Sequence, residues 1–288
     1  MKIPPYWTKA TYRGQDPDGK DHVFAAYGWS FHSQAGARED ATTRARRMFD
    51  RVILNRTESS SYDYLDRPLR EEIVQPLNRG DTQVAVITRN RYGCLVLNSS
   101  RVCFVDVDYP PVRSKGLIDG LALFFSKRRR QERAEALRQA TLERVKRWAQ
   151  DHPRRSFRLY RTAAGLRLLF TDQLYEPTSQ EVVGLLKDLG SDPLYQRLTA
   201  KQECFRARLT PKPWRCGCKK PPSLYPWDTP AQERDYRRWQ GEYESKARAH
   251  ATCEFLQSFG RPVADEQIAL VLSTHDEYAC GHAQSGLA

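Results

Sequence analysis

The alternation of apolar and polar positions divides the chain into short strands and longer helices. His22 to Ser30 reads as a strand. Gln34 to Leu54 reads as a helix, because Ala35, Ala37, Ala41, Ala45, Met48, Phe49 and Val52 recur at three- and four-residue spacing and Ser33 can cap the start. Residues 55–70, with a run of Ser and Tyr, read as a loop. Three strands follow, Gln83 to Thr88, Cys94 to Asn98 and Arg101 to Asp108. Turn chemistry at Asn90–Gly93 and Ser99–Ser100 separates them, and Tyr109-Pro110-Pro111 closes the last. An apolar patch spans residues 116–125. A charged helix then runs from about Gln131 to Gln150, with Ala134, Leu137, Leu142, Val145 and Trp148 near one face and a stop at Asp151-His152-Pro153. Phe157 to Tyr160 and Leu166 to Phe170 read as a hairpin around Thr162–Gly165. Ser179 to Leu189 reads as a short helix stopped by Gly190, and Cys204 to Leu209 as a last strand. Two more helices are predicted, from Pro230 to about Phe259 and from about Ala264 to Ser273.

That order predicts an α+β fold on one mainly antiparallel sheet, with flanking helices and a helical C-terminal tail. After Pro211 the composition shifts to Pro, Trp, Cys and charged residues. The boundary is therefore expected near residue 215, with an α+β core over 1–215 and a helical region over 216–288.

Composition narrows the function. The chain has 288 residues, 40% of them hydrophobic, enough for a packed core. It carries 47 Lys and Arg against 35 Asp and Glu, a net +12, and so attracts polyanions. Six Trp and fourteen Tyr supply flat faces on which bases can stack. The start, Met1 to Trp7, lacks the apolar run of a signal peptide, and no long apolar stretch follows, so a cytoplasmic protein without a membrane partner is expected. Seven cysteines, an odd number in a long chain, point to reduced thiols with room for one metal cluster rather than to a disulfide framework.

Three segments carry candidate chemistry. In Val102–Asp108, Asp106 and Asp108 lie two apart on a strand and so share a face. Adjacent carboxylates repel unless a cation lies between them, which suggests Mg²⁺ or Mn²⁺ serving phosphate chemistry; the plain alternative is a polar strand end. In the hairpin, Arg161, Thr162, Gly165 and Arg167 surround a small-residue turn whose amides can approach a phosphate while the arginines grip it; an ordinary hairpin with surface arginines is the alternative. The third segment joins Asp192 to Arg206, Arg208, Lys212 and Arg215. Four cations so close repel one another unless an anion joins them, though a salt-bridged strand would also fit.

The order of these three blocks resembles the catalytic core of archaeo-eukaryotic primases and primase-polymerases, over about residues 80–215. That family has a modified RNA-recognition-like sheet, paired aspartates on one strand, a Ser/Thr-Gly-Gly-x-Gly-x-His hairpin, and a third acid before a basic strand. Asp106 and Asp108 match the first element, Thr162 to Arg167 the second, and Asp192 with Arg206, Arg208 and Lys212 the third. The resemblance implies a nucleotidyltransferase of DNA replication or repair, with DNA or RNA and nucleoside triphosphates as partners. Asp106, Asp108 and Asp192 would hold two divalent ions. The chain departs from the pattern at Ala163, Ala164 and Arg167. Arg167 stands where the family's histidine meets the triphosphate; it keeps a phosphate-binding charge but cannot titrate near neutral pH.

That departure keeps a non-catalytic nucleic-acid-binding protein on the same fold as an alternative. A metal-dependent glycosyltransferase is a second alternative, since paired aspartates after an apolar strand also mark nucleotide-sugar sites. Cys216, Cys218, His250 and Cys253 supply four soft ligands for Zn²⁺, but their spacing is unusual and buried thiols are the plainer expectation. His275-Asp276 reads as a surface pair at a helix end, and Lys127–Arg130 as a solvated charged face.

Overall fold

The computed structural model describes residues 1–54, 68–114, 124–281 and 286–288. The predicted patch at 116–125 therefore lies largely outside the described residues, as does most of the predicted loop at 55–70.

The chain opens with a hairpin of two ten-residue strands, β1 (Tyr6–Gln15) and β2 (Asp21–Ser30), in unbroken antiparallel register from Tyr6↔Ser30 to Gln15↔Asp21. β1 was not apparent in the sequence pattern. Helix α1 (Gln34–Ile53) crosses the hairpin on the predicted stripe, burying Ala37, Ala41, Ala45 and Phe49, and Ser33 caps it by accepting from Gly36 N–H. The crossing is close: a Cβ at Gly28 would lie 2.1 Å from the Ala41 nitrogen, so only glycine fits there.

Two four-stranded sheets form the rest. The first is antiparallel, in the order β3 (Glu72–Arg79), β4 (Thr82–Arg89), β5 (Leu95–Ser99), β9 (Phe205–Arg208). The second is antiparallel in the order β11 (Cys253–Phe259), β7 (Phe157–Thr162), β8 (Gly165–Phe170), β6 (Phe104–Asp108). One apolar core spans both, with Ile87, Leu97 and Phe205 from the first and Phe104, Leu159 and Leu168 from the second. The sheets meet at β6 and β9. There Tyr195 on α4 (Pro193–Gln202) is the strut: its hydroxyl donates to the Phe104 carbonyl at 3.0 Å and accepts from Arg206 N–H at 3.3 Å. Helices α2 (Lys127–Asp151) and α3 (Gln180–Asp188) complete this part of the chain.

The described residues thus form an α+β fold with mainly antiparallel sheets and six α-helices. The C-terminal tail differs from the wholly helical segment expected. Helix α5 (Pro230–Ala247) is shorter than expected, and the rest of the predicted helix is two strands, the short β10 (His250–Ala251) and β11. β11 pairs with β7 at the edge of the second sheet, and helix α6 (Glu266–Ala279) follows. β10 pairs in parallel with β12 (Gly286–Leu287). Among the described residues, no helix is long and apolar enough to cross a membrane.

Candidate phosphate-binding site

Asp106 and Asp108 stand on β6 with alternating neighbours buried, as the two-residue period requires. Register places Arg167 of β8 opposite Asp106, and Gly165 opposite Asp108. Arg167 and Asp106 form a forked pair, Nε to Oδ1 at 2.7 Å and Nη2 to Oδ2 at 2.9 Å. Arg167 is only 2% exposed, and its Nη1 donates to the Arg208 carbonyl at 2.9 Å. Burial works against its charge, but Asp106 outweighs burial and holds the guanidinium protonated above its ordinary value. The guanidinium is therefore occupied by Asp106.

Behind it lies a buried network that the sequence reading missed. His275, expected on the surface, is fully buried, because α6 packs it against Tyr160 and Phe104. Its Nε2 is 3.5 Å from Arg167 Nη1, and its Nδ1 is 3.0 Å from Asp276 Oδ1. Arg167 has only donors, so Nε2 accepts and Nδ1 carries the proton. Burial, then the charge of Arg167, depress the His275 pKa, in keeping with this neutral form. Asp276 also accepts from the Tyr160 hydroxyl at 2.7 Å and pairs with Arg158 at 2.9 Å. His275, Asp276 and Cys280 place their ligand atoms within 4.8 Å of one another, but the hydrogen bonds just named already engage Asp276.

On the open side of the strand end, Asp108 is exposed and Asp192 caps α4 by accepting from Leu194 N–H at 3.1 Å. Burial of part of its surface, then the carboxylates of Asp106 and Asp192, raise the Asp108 pKa above the ordinary value. Its charged form is thus disfavoured in the fold. The stability it offers is fully present below the ordinary carboxylate range and is lost as pH rises through its raised pKa. Asp108→Asn is expected to stabilise the protein at neutral pH by less than about 1 kcal/mol, since water screens an exposed carboxylate. That gain should vanish in acid, and urea titrations at neutral and acid pH would check it.

The cations divide into two groups. Arg161 is paired with Glu254, and Arg206 is paired with Glu71 at 2.7 and 2.9 Å. By contrast, Arg208, Lys212 and Arg215 have no ion pair among the described residues, and Arg208 Nε is buried with no hydrogen-bond partner. Burial, Arg167 and Arg215 lower the Arg208 pKa; burial, Arg208 and Arg215 lower that of Lys212. Asp108 is among the charges felt by Lys212, so acid and base share one locality. Thr162 Oγ1 accepts from Gly165 N–H at 3.0 Å, which closes the hairpin turn on itself.

The four soft ligands are not brought together. Cys216 and Cys218 pack with Tyr243 in a small cluster beside α5, Cys253 belongs to the main core beside Arg167, and His250 Nδ1 sits 3.2 Å from the Lys246 carbonyl. Comparison of the chain with family models, curated proteins and solved structures gives no match.

Proposed function

We propose that this protein binds nucleic acid on a primase-type core, holding successive strand phosphates against Arg208, Lys212 and Arg215. The observation that carries the reading is the buried Arg208 Nε, which has no partner among the described residues, beside two further cations that likewise have no ion pair among them. Burying a charge without a partner is costly. A phosphate bound at the exposed part of this cluster would offset the mutual repulsion of the three cations. Support for the core comes from the element order β6, α2, β7, β8, α3, α4, β9, with β8 hydrogen-bonded between β7 and β6 and β9 tied to β6 through Tyr195. That is the succession expected of an RNA-recognition-like sheet.

In this reading Asp106 is a structural partner of Arg167 and not a metal ligand. Both carboxylate oxygens already accept from the guanidinium, whose charge would also repel a divalent ion. Two-ion catalysis across Asp106, Asp108 and Asp192 does not fit this arrangement. The non-catalytic alternative is therefore favoured over nucleotidyl transfer.

The test uses fluorescence anisotropy with a labelled oligothymidylate and the double variant Arg208→Gln/Lys212→Gln. Affinity should fall at least about tenfold, from loss of charge-assisted hydrogen bonds. Folding should persist, because burial already disfavours the Arg208 charge. Unchanged affinity would contradict the assignment. In a parallel primer-extension assay with Mn²⁺, no incorporation is expected; incorporation abolished by Asp108→Asn would favour the nucleotidyltransferase instead.

A further inference from the structure

A second cluster of basic residues lies between the N-terminal hairpin and α1. A cavity of about 470 Å³ opens between β2 and α1, and its lining includes Tyr27, Trp29, Arg44, Arg47, Arg51 and Arg70. That volume falls within the roughly 300–1,000 Å³ of small-molecule pockets. None of the described residues that line it is a carboxylate.

The sequence places Arg44, Arg47 and Arg51 three and four residues apart, so α1 presents them on one face. The facing strand offers two aromatic rings, each carrying an arginine. The Arg44 guanidinium stands 3.7 Å above the Trp29 ring, and that of Arg70 stands 3.9 Å above the Tyr27 ring. Asp40 fixes the first pair, accepting from Trp29 N–H at 3.0 Å and from Arg44 Nε at 2.8 Å. Trp7, nearly buried, packs against Trp29 at 5.4 Å and closes the floor. Aromatic faces and guanidinium forks are thus held side by side by β2, α1 and the segment before β3.

We infer that this cavity binds a nucleoside phosphate, with the base stacked on Tyr27 or Trp29 and the phosphate held by arginines of α1. Stacking on an aromatic face is indifferent to base identity, and planar forked donors match phosphate oxygens. A free nucleotide and a single strand share this chemistry. The site is distinct from the Arg208–Lys212–Arg215 cluster and does not depend on that cluster's assignment.

The experiment uses the full chain and a short oligothymidylate carrying 4-thiothymidine, photocrosslinked and mapped by peptide mass spectrometry. The crosslink should fall on the peptide carrying Tyr27 and Trp29. It should persist in Arg208→Gln/Lys212→Gln, which separates this site from the first. It should drop at least about tenfold in Arg47→Gln/Arg51→Gln, as expected for two lost charge-assisted contacts. Both of those side chains are exposed, so the fold should survive, and circular dichroism would verify this. Competition by ATP would identify a free nucleotide as a sufficient ligand, and competition only by unlabelled oligonucleotide would identify a strand; either upholds the site. Crosslinks confined to other peptides, or undiminished in Arg47→Gln/Arg51→Gln, would overturn it.

Discussion

Arg167→Ala should destabilise the protein by about 1.5–3 kcal/mol, the range for losing hydrogen bonds to a charged group, because water can resolvate Asp106, which is 37% exposed. The change removes a side chain that is 2% exposed and strips Asp106 of both its donors. It also leaves the Arg208 carbonyl without its 2.9 Å donor. Arg167→Lys should recover only part of the loss, because one ammonium cannot reproduce the fork to Asp106 and still reach Arg208. Pairing Arg167→Ala with Asp106→Asn separates the two contributions. If the pair interacts as described, the double variant should be less destabilised than the sum of the single ones. Urea denaturation measures all four. A loss below about 1 kcal/mol for Arg167→Ala would place the guanidinium at the surface, as an ordinary hairpin arginine.

Gly165→Ala is the second large effect. Its Cβ would stand 2.1 Å from the Val107 carbonyl oxygen and 2.9 Å from Asp108 Cα, both backbone atoms that no rotamer change can move aside. β6 and β8 must separate, so the cost should reach or exceed the roughly 1–3 kcal/mol of overpacking. Because Gly165 lies opposite Asp108, the same displacement should disturb the strand end that faces Lys212. Gly184→Ala is the control. Gly184 lies within α3, and a Cβ there meets nothing within 4 Å. That change should stabilise by about 1 kcal/mol through helix propensity alone. Two Gly→Ala substitutions with opposite signs would tie the first cost to contact with β6. Equal, small effects would refute the close approach.

Much of the framework was legible in the residue pattern. α1 announced itself through Ser33 and its alanine stripe, and the β7–β8 hairpin through apolar runs around Thr162–Gly165. β11 was hidden because Glu254, Gln257 and Ser258 interrupt any apolar alternation. It becomes a strand through pairing with β7, where tertiary contact overrides local preference. Asp192-Pro193 drew attention as a candidate acid, yet it is also a strong helix start, with the Asp capping and Pro at the first turn of α4. Asp106 and Arg167 were both singled out, but their pairing depends on the register between β6 and β8, which composition does not encode. The same holds for Arg206 with Glu71, 135 positions apart, and for the burial of His275 beneath Arg167. What the sequence conveyed was which residues bear charge. Which of those charges were already neutralised required the fold.

The salt dependence of binding tests the phosphate assignment most directly. Contacts to a single strand release about 0.7 counterion each, so the slope of log affinity against log salt counts them. Oligothymidylate affinity should be measured between about 50 and 200 mM salt for the parent and for Arg208→Gln/Lys212→Gln. If both side chains meet phosphates, the parent should show a steep negative slope and the variant one shallower by about 1.4. Parallel lines, or binding in the parent indifferent to salt, would contradict a phosphate site at Arg208, Lys212 and Arg215.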